Sequence, residues 1–341
     1  MADGRKLVVV LGATGSQGNP TAKYILKNSS ELFRVRAVTR NRSKQAAREL
    51  QTLGAEVVEA DFDNVASIKT ALDGANAIFA ITNFWDKADY DLEVGQGKLI
   101  NKLAAALPNL ESFIFSSLPD GREAEDGKFQ NILPYNAKSA IWEDLREYPT
   151  LAAKTTVLYV SFYYQNWLKY QAVFGPQKDE NGDFVLSMPY PSSASFPCTW
   201  ADDTGVVVDS LLRRGNKYHG KTVVLIAEKL TQEKALSTWA QGKPLESSIM
   251  SGDLPDLHSL ALGIKARFEQ VSPADHKKRM MGAGLPEHLA VCVTELSENL
   301  MFEGETLFAE QLVQAKDIIP PGYNLKSWKD YVKEEDWSPM L

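Results

Sequence analysis

The sequence predicts an α/β protein with a Rossmann-type, doubly wound parallel sheet and a smaller, interleaved α+β substrate lobe. Over about the first 160 residues, short apolar runs alternate with amphipathic stretches, which is typical of βαβ units. A glycine-rich turn joins the first apolar run to the first amphipathic stretch. Much of the remainder is irregular and rich in proline and aromatic residues, which favours a second lobe.

The predicted strands are apolar runs that can lie side by side in one sheet. They cover Lys6–Leu11, Arg34–Thr39, Glu56–Ala60, Ala77–Thr82, Ser112–Ser117 and Thr156–Val160. A later run, Thr222–Ala227, could rejoin the same sheet. The predicted helices include Asn19–Asn28, Lys44–Leu53, Ile68–Leu72 and Gln96–Ala106. We therefore assign residues 1–160, with about 198–228, to the sheet domain, and about 161–197 and 229–341 to the smaller lobe.

Composition and charge argue against several classes of protein. The 341 residues carry a formal net charge of −7, which is unfavourable for a broad nucleic-acid-binding surface. No apolar run approaches the ~20 residues that span a bilayer, and the segment before the first strand leaves no room for a signal peptide. The two cysteines and four histidines match no metal or redox spacing. We expect a cytoplasmic protein without a metal, a membrane or direct nucleic-acid contact.

The turn after the first strand has the spacing of a dinucleotide-binding loop. Within "LVVVLGATGSQG", three glycines form G-x-x-G-x-x-G between a strand and a helix. Glycine permits the sharp turn, the close approach of the backbone to a pyrophosphate and tight helix–strand packing, while the helix amino terminus offers free N–H groups. The expected phosphate-binding residues are Gly12, Thr14, Gly15, Ser16, Gln17 and Gly18.

The end of the second strand indicates which dinucleotide binds. An NAD site usually places Asp or Glu there, whereas this strand ends "AVTRNRSK", with Arg40 in that position. Arg40 and Lys44 could give a 2′-phosphate charge-assisted hydrogen bonds worth ~1.5–3 kcal/mol each. The alternative is that these cations merely solvate a loop. The sequence favours NADP(H), which makes the sheet domain an NADP-binding domain.

Further candidates follow the carboxyl ends of the third and fourth strands, where open α/β sheets bind ligands. Asp61 and Phe62 are candidate adenine contacts. Thr82 and Asn83 are candidate contacts on the nicotinamide side, and Phe84 is a candidate substrate contact. Ordinary packing is an equally good explanation for the two phenylalanines.

With these residues in view, the chain resembles the NmrA-like family of atypical short-chain dehydrogenases/reductases. The likeness depends on "GATGSQG", "VTRNRSK", "GAEVVEADFDN", "FIFSSLPD", "NAKSAIWEDL", "TTVLYVSFYYQNW" and "WADDTG", and it covers most of the chain. The resemblance implies the fold and NADP(H). It does not decide between catalysis and sensing, because the family includes negative regulators of fungal nitrogen metabolism and NADPH-sensing proteins as well as fungal biosynthetic reductases.

Typical short-chain dehydrogenases use Tyr-x-x-x-Lys and a serine, whereas residues 135–138 here read Tyr-Asn-Ala-Lys, one residue short. Residues three apart still share a helix face, but Pro134 predicts that the helix begins here, with Tyr135 on its rim. The setting of Lys138 resembles the helix that carries the acid/base lysine of isoflavone-reductase-like enzymes. Lys138 is therefore the first catalytic candidate and also a coenzyme contact, with Tyr135 and Ser117 as helpers. Its alternative role is to bind ribose or nicotinamide without proton transfer.

The run "YVSFYYQNW" after the sixth strand is unusually aromatic. Aromatic walls with a few polar tips suit planar organic ligands. Tyr159 is the candidate coenzyme contact in this run, and the candidate substrate contacts are Phe162, Tyr163, Tyr164 and Asn166.

Together these features predict an NADPH-dependent oxidoreductase that reduces a small aromatic or alkaloid-like carbonyl or imine compound, as in fungal secondary metabolism. One alternative is an NADP(H)-sensing regulator, in the cytoplasm or nucleus, that docks a protein partner such as a transcription factor without turnover. A second alternative is a pocket that promotes condensation or cyclisation of an iminium or carbonyl electrophile.

Overall fold

A computed structural model of the protein describes residues 4–241, 264–307 and 312–341. The strands in these segments are β1 (Lys6–Val10), β2 (Phe33–Thr39), β3 (Glu56–Glu59), β4 (Ala77–Ala80), β5 (Ser112–Ser117), β6 (Thr155–Val160), β7 (Phe162–Tyr163), β8 (Gln177–Lys178), β9 (Phe184–Met188), β10 (Ser195–Thr199), β11 (Thr222–Leu225), β12 (Glu228–Thr231), β13 (Ala266–Gln270) and β14 (Val313–Gln314). The α-helices are α1 (Gly18–Asn28), α2 (Gln45–Thr52), α3 (Val65–Leu72), α4 (Tyr90–Ala105), α5 (Leu133–Arg146), α6 (Pro149–Ala152), α7 (Asn166–Lys169), α8 (Gln171–Phe174), α9 (Thr204–Arg213), α10 (Gln232–Gln241), α11 (Pro273–Gly282), α12 (Glu287–Leu307) and α13 (Trp328–Glu334).

Within these segments, eight strands form one parallel sheet in the order β14-β11-β6-β5-β4-β1-β2-β3, which confirms the predicted fold class. Its inner strands are buried on both faces, which explains why they read as continuous apolar runs. Val8 and Val10 pack in the layer of α1, α2 and α9, whereas Leu7 and Val9 face α3, α4 and α5. The strand order reverses between β1 and β4, and this reversal opens a crevice at the carboxyl ends of the strands.

The smaller lobe contains two three-stranded sheets in the described residues, β12-β10-β7 and β13-β9-β8. Its core is a cluster of large aromatic rings, including Trp167, Trp239, Trp328, Tyr331 and Trp337. The central sheet also takes β14 from the part of the chain assigned to this lobe. Residues 242–263 and 308–311 of that predicted lobe lie outside the described residues, and the proposed domain boundaries stay a prediction.

Two differences from the predicted elements affect the crevice. Helix α4 begins at Tyr90 rather than at Gln96, because the Asp89 side chain caps it by accepting a hydrogen bond from the Leu92 N–H. Strand β4 ends at Ala80, so Thr82 lies past the sheet ladder and its carbonyl is available to a side chain. Among the helices of the described segments, none combines the length and apolar character needed to cross a bilayer.

Candidate functional site

The glycine-rich loop joins β1 to α1, as predicted. Gly12 has φ of +62°, in the left-handed region that favours glycine. A Cβ on Gly18 would collide with the carbonyl of Gly12, so the helix start packs directly against the turn. The Thr14 and Thr39 hydroxyl oxygens lie 3.2 Å apart and join the loop to the end of β2. The start of α1 therefore lies in the crevice, where helix N–H groups bind phosphate in related folds.

Gln17 connects this loop to the sheet and to the smaller lobe. Ser116 Oγ donates to Gln17 Oε1 at 2.9 Å, and Gln17 Nε2 donates to Tyr163 Oη at 2.5 Å. Burial raises the pKa of Tyr163 to about 12, although the Gln17 hydrogen bond acts in the opposite direction. Tyr163 therefore keeps its proton at neutral pH, and as an acceptor in this bond it retains its own O–H as a donor.

Lys169 brings a cation from the smaller lobe to the same loop. Its Nζ donates to Ser16 Oγ at 3.2 Å and lies 5.4 Å from the centroid of the Tyr170 ring, and the residue is exposed. The sequence analysis did not select Lys169, because the two residues are 153 positions apart and no spacing rule connects them. Its place just after the aromatic run was the one available signal.

Lys138 has three polar partners at the carboxyl end of β4. Its Nζ donates to the Thr82 carbonyl at 3.1 Å, to Thr82 Oγ1 at 2.9 Å and to Glu93 Oε1 at 2.9 Å. An ammonium has three hydrogens, so these partners match its full donor capacity. The Lys138 and Glu93 side chains are only 12% and 2% exposed.

Glu93 is the second functional candidate that the sequence analysis missed. It lies in the first turn of α4, three residues before the predicted start of that helix. Its other oxygen, Oε2, is buried and has no hydrogen-bond partner among the described residues. Lys138 and Glu93 thus form a buried ion pair in which one carboxylate oxygen has no such partner, and burial of such an oxygen costs free energy, which makes it a functional candidate.

Tyr135 does not join this ion pair in the contacts that the structure records for Lys138. Helix α5 begins at Leu133, so Tyr135 lies in its first turn, as Pro134 predicts. The Tyr135 ring is 6% exposed and belongs to a mainly apolar cluster with Phe129 and Phe174. Its assignment as a helper of Lys138 stays a prediction.

Ser117 and Ser116 have different roles at the end of β5. Ser117 Oγ donates to the main-chain carbonyls of Leu118 and Lys138, at 3.5 and 3.4 Å. The Ser116 hydroxyl instead donates to the Gln17 side chain on the glycine-rich loop. The predicted helper, Ser117, therefore contacts the backbone of α5 and not the Lys138 ammonium.

Arg40 contacts a carboxylate that follows β4. Its Nη1 donates to Asp86 Oδ2 at 2.5 Å and its Nη2 donates to Asp86 Oδ1 at 2.8 Å. This contact holds the pKa of Asp86 below its usual range and raises the pKa of Arg40. Lys44, the second predicted cation, is exposed at the amino-terminal cap of α2 and also lowers the pKa of Asp86.

The remaining coenzyme candidates differ in exposure. Asp61 and Asn83 are exposed after their strands, and Phe62 is half-buried against the layer of α3 and α4. Tyr159 is half-buried, and burial raises its pKa to about 12. Phe84 is 2% exposed, which fits the packing explanation better than a direct ligand contact.

The aromatic run is divided between the crevice side and the core. Phe162 and Asn166 are half-buried, and Phe162 makes edge contacts with Phe174 and Phe196 at 5.2 and 5.4 Å between centroids. Tyr164 is different: it is 1% exposed in the aromatic core, and its hydroxyl donates to Glu228 at 2.8 Å. We correct the assignment of Tyr164 as a substrate contact, because its ring and hydroxyl are both used inside the smaller lobe.

An open groove lies at the opposite edge of the sheet, and its lining includes Asn76, Glu111, Lys154 and His219. These residues precede or flank the amino ends of the strands. Open α/β sheets bind ligands at the carboxyl ends, so we do not assign this groove.

The fold and these residues define an α/β protein with the crevice geometry of dinucleotide-binding proteins. Residues 4–304 match the family model for the NmrA-like family, and the chain belongs to that family, as its motifs predicted.

Two similar curated proteins are named NmrA-like family domain-containing oxidoreductases. They are notA' of Aspergillus versicolor, 29% identical over 79% of this chain and 78% of that protein, and cpsB of Aspergillus campestris, 29% identical over 83% and 79%.

Solved structures with the same fold include NmrA, a negative transcriptional regulator, with a TM-score of 0.73, 17% identity and coverage of 97% of this chain and 95% of that chain. Another is the triphenylmethane reductase of Citrobacter sp. complexed with NADP(H), with a TM-score of 0.67, 17% identity and coverage of 96% and 98%. NmrA has also been crystallised with NADP and with NAD. At this identity the likeness shows the fold, and the predicted coenzyme is one that these structural relatives contain.

Proposed function

We propose that this protein is an NADPH-dependent reductase that transfers hydride to a small, planar carbonyl or imine compound of aromatic or alkaloid type. The observation that carries the proposal is the buried Lys138–Glu93 ion pair at the carboxyl end of β4, the strand that pairs with β1, which leads into the glycine-rich loop. The names of the relatives notA' and cpsB support an oxidoreductase. A biosynthetic role in secondary metabolism is part of the proposal.

The described residues fit NADP(H). The turn at Gly12 and the close contact of Gly18 leave the start of α1 open to a diphosphate. Lys169 adds a cation from the smaller lobe, and Arg40 with Lys44 would bind the 2′-phosphate. When bound, the coenzyme supplies the hydride.

Lys138 would supply the proton after a change of partners. Each of its hydrogens has an acceptor in the structure, so it can donate to a substrate oxygen or nitrogen only when one acceptor is given up. Thr82 Oγ1 is the partner most readily exchanged, since a hydroxyl can rotate while the carboxylate of Glu93 stays in place. Glu93 would then keep the ammonium positioned during proton transfer.

The crevice also offers protonated phenols. Tyr159 and Tyr163 have pKa values raised to about 12 by burial, so both would orient a substrate as hydrogen-bond donors rather than accept its proton. Phe162, which precedes Tyr163 on β7, adds an aromatic ring that packs against Phe174 and Phe196. A planar ligand with one polar group suits such a wall.

The test is NADPH oxidation by the purified protein with a panel of aromatic carbonyl and imine compounds. We expect Lys138→Ala to lower turnover at least about a hundredfold, a typical contribution of general acid catalysis, while the NADPH dissociation constant changes little. Lys102→Ala, at an exposed lysine of α4, is the matched control.

Tight NADPH binding without turnover across the panel, together with capture of a specific protein partner, would favour a regulator. Product formation from the electrophile without NADPH consumption would favour condensation or cyclisation.

A further inference from the structure

The Asp86 carboxylate accepts hydrogen bonds from the Arg40 guanidinium. Asp86 ends a short 3-10 helix, Phe84–Asp86, which follows β4. The two hydrogen bonds, at 2.5 and 2.8 Å, engage both terminal nitrogens of the guanidinium. A phosphate binds arginine through the same two-pronged geometry. The Asp86 carboxylate and a 2′-phosphate would therefore use the same donors.

We propose that Asp86 competes with the 2′-phosphate of the coenzyme for Arg40 and thereby limits the preference of the protein for NADP(H) over NAD(H). This inference rests on the proposed function, in which Arg40 binds the 2′-phosphate. Asp86 is a specificity-determining residue in this view, and it acts by occupying a cation instead of contacting the ligand.

Charges around the pair act on both Asp86 and Arg40. Lys44 and Lys87 act on Asp86 and stabilise its charged form. Asp61 and Asp63 act on Arg40 in the same way. An incoming phosphate must therefore displace one carboxylate and tolerate two others. Its larger charge, about −1.5 to −2 at neutral pH, favours the exchange.

The position of Asp86 allows this exchange. The Arg40 and Asp86 side chains are 52% and 30% exposed, so water can solvate the carboxylate after it leaves. The short helix lies outside the sheet ladder, which ends at Ala80. Release of Arg40 therefore breaks no strand pairing.

The competition can be measured with ligand fragments that lack nicotinamide. The probes are 2′,5′-ADP and 5′-AMP, which differ only by the 2′-phosphate, and their dissociation constants are measured by calorimetry. We expect Asp86→Asn to bind 2′,5′-ADP about three- to tenfold more tightly, the scale of an exposed ion pair plus the lost repulsion. Binding of 5′-AMP should change less than about twofold. Arg40→Ala should weaken the binding of 2′,5′-ADP more than the binding of 5′-AMP.

Two further variants separate competition from a general charge effect. Asp63→Asn removes the same charge nearby without freeing Arg40, since the Asp63 carboxylate accepts from Gln96 instead. Its gain should be less than half that of Asp86→Asn. On the Arg40→Ala background, Asp86→Asn should give no gain.

Equal gains for Asp63→Asn and Asp86→Asn, or a gain that persists without Arg40, would overturn the inference. Unchanged or weaker binding of 2′,5′-ADP by Asp86→Asn would also overturn it, because Asp86 would then orient Arg40. If Arg40→Ala does not distinguish the probes, the assigned 2′-phosphate site itself is wrong. Turnover of NADPH tests the reductase proposal separately, since neither probe can react.

Discussion

Replacing Glu93 by glutamine tests the ion pair on which the proposed chemistry depends. Glutamine has nearly the same shape and keeps a carbonyl oxygen for Lys138, but it removes the charge that faces the ammonium. Lys138 is 12% exposed and Glu93 2% exposed, so solvent can do little to replace the lost carboxylate. Breaking a buried pair by removing one partner costs ~3–5 kcal/mol.

The expected loss of stability is smaller than that range, since glutamine keeps a hydrogen bond to a charged group, worth ~1.5–3 kcal/mol. Glu93→Gln should therefore lower the free energy of unfolding by about 2 kcal/mol, and Glu93→Ala by about 3–5 kcal/mol. Urea unfolding measures both. Glu143→Gln is the matched control, because Glu143 and Arg146 form an exposed pair on α5. It should change stability by less than about 0.5 kcal/mol.

The same variant has a functional readout that stability alone would not move. Glutamine holds the Lys138 ammonium by a hydrogen bond without an opposing charge, so Glu93→Gln should lose at least about tenfold in kcat with a small change in the NADPH dissociation constant. The double variant Glu93→Gln/Lys138→Met should recover stability relative to Glu93→Gln, because no unpaired charge remains. Additive losses in the double variant, or full kcat in Glu93→Gln, would refute the reasoning.

Two further predictions concern the loop contacts and a buried carboxylate. Lys169→Ala should weaken the binding of NADPH and of NADH alike, by about three- to tenfold, because both coenzymes contain the diphosphate that Lys169 is proposed to contact. Arg40→Ala should weaken mainly the binding of NADPH. Calorimetry with both coenzymes separates the two patterns, and a selective effect of Lys169→Ala would contradict the proposed diphosphate contact. Burial raises the pKa of Asp203 from 3.8 to about 6, although its carboxylate accepts hydrogen bonds from the Tyr323 hydroxyl and the Lys326 N–H. The folded protein then binds this proton more tightly than the unfolded chain, so the contribution of Asp203 to stability should fall by up to about 3 kcal/mol as pH rises from 4 to 6, and the stability difference between wild type and Asp203→Asn should change by that amount over this range. A difference between the two proteins that does not vary with pH would argue against this.

The sheet could be predicted because its physical cause is local. A strand buried on both faces must be a continuous apolar run, and a dinucleotide loop must place glycine at Gly12 and Gly18, so both signals appear in the sequence itself. The predicted start of α4 was wrong because the first turn of this helix is polar, and the Asp89 cap is the residue there that indicates a helix start. Because Glu93 lies before the predicted start of α4, the sequence analysis did not select it as a helix residue near the site.

The contacts that give the site its chemistry were not predictable in the same way. Glu93 and Lys138 are 45 positions apart, and Lys169 and Ser16 are 153 apart, so only the packing of α4, α5 and α7 brings them together. The aromatic run illustrates a second limit. Its composition predicts a wall for a planar ligand, but composition cannot decide which rings face the crevice, and Tyr164 turns into the core.

The glycine-rich loop contacts the smaller lobe at two points, through Gln17 to Tyr163 and through Ser16 to Lys169. Tyr163 belongs to β7 together with Phe162, and this strand carries two of the proposed substrate contacts. In the proposed function, a diphosphate bound to the loop would lie next to Ser16 and Gln17, which make both contacts. The Gln17 hydrogen bond holds the Tyr163 hydroxyl, so it joins the glycine-rich loop to the strand that carries the proposed substrate contacts.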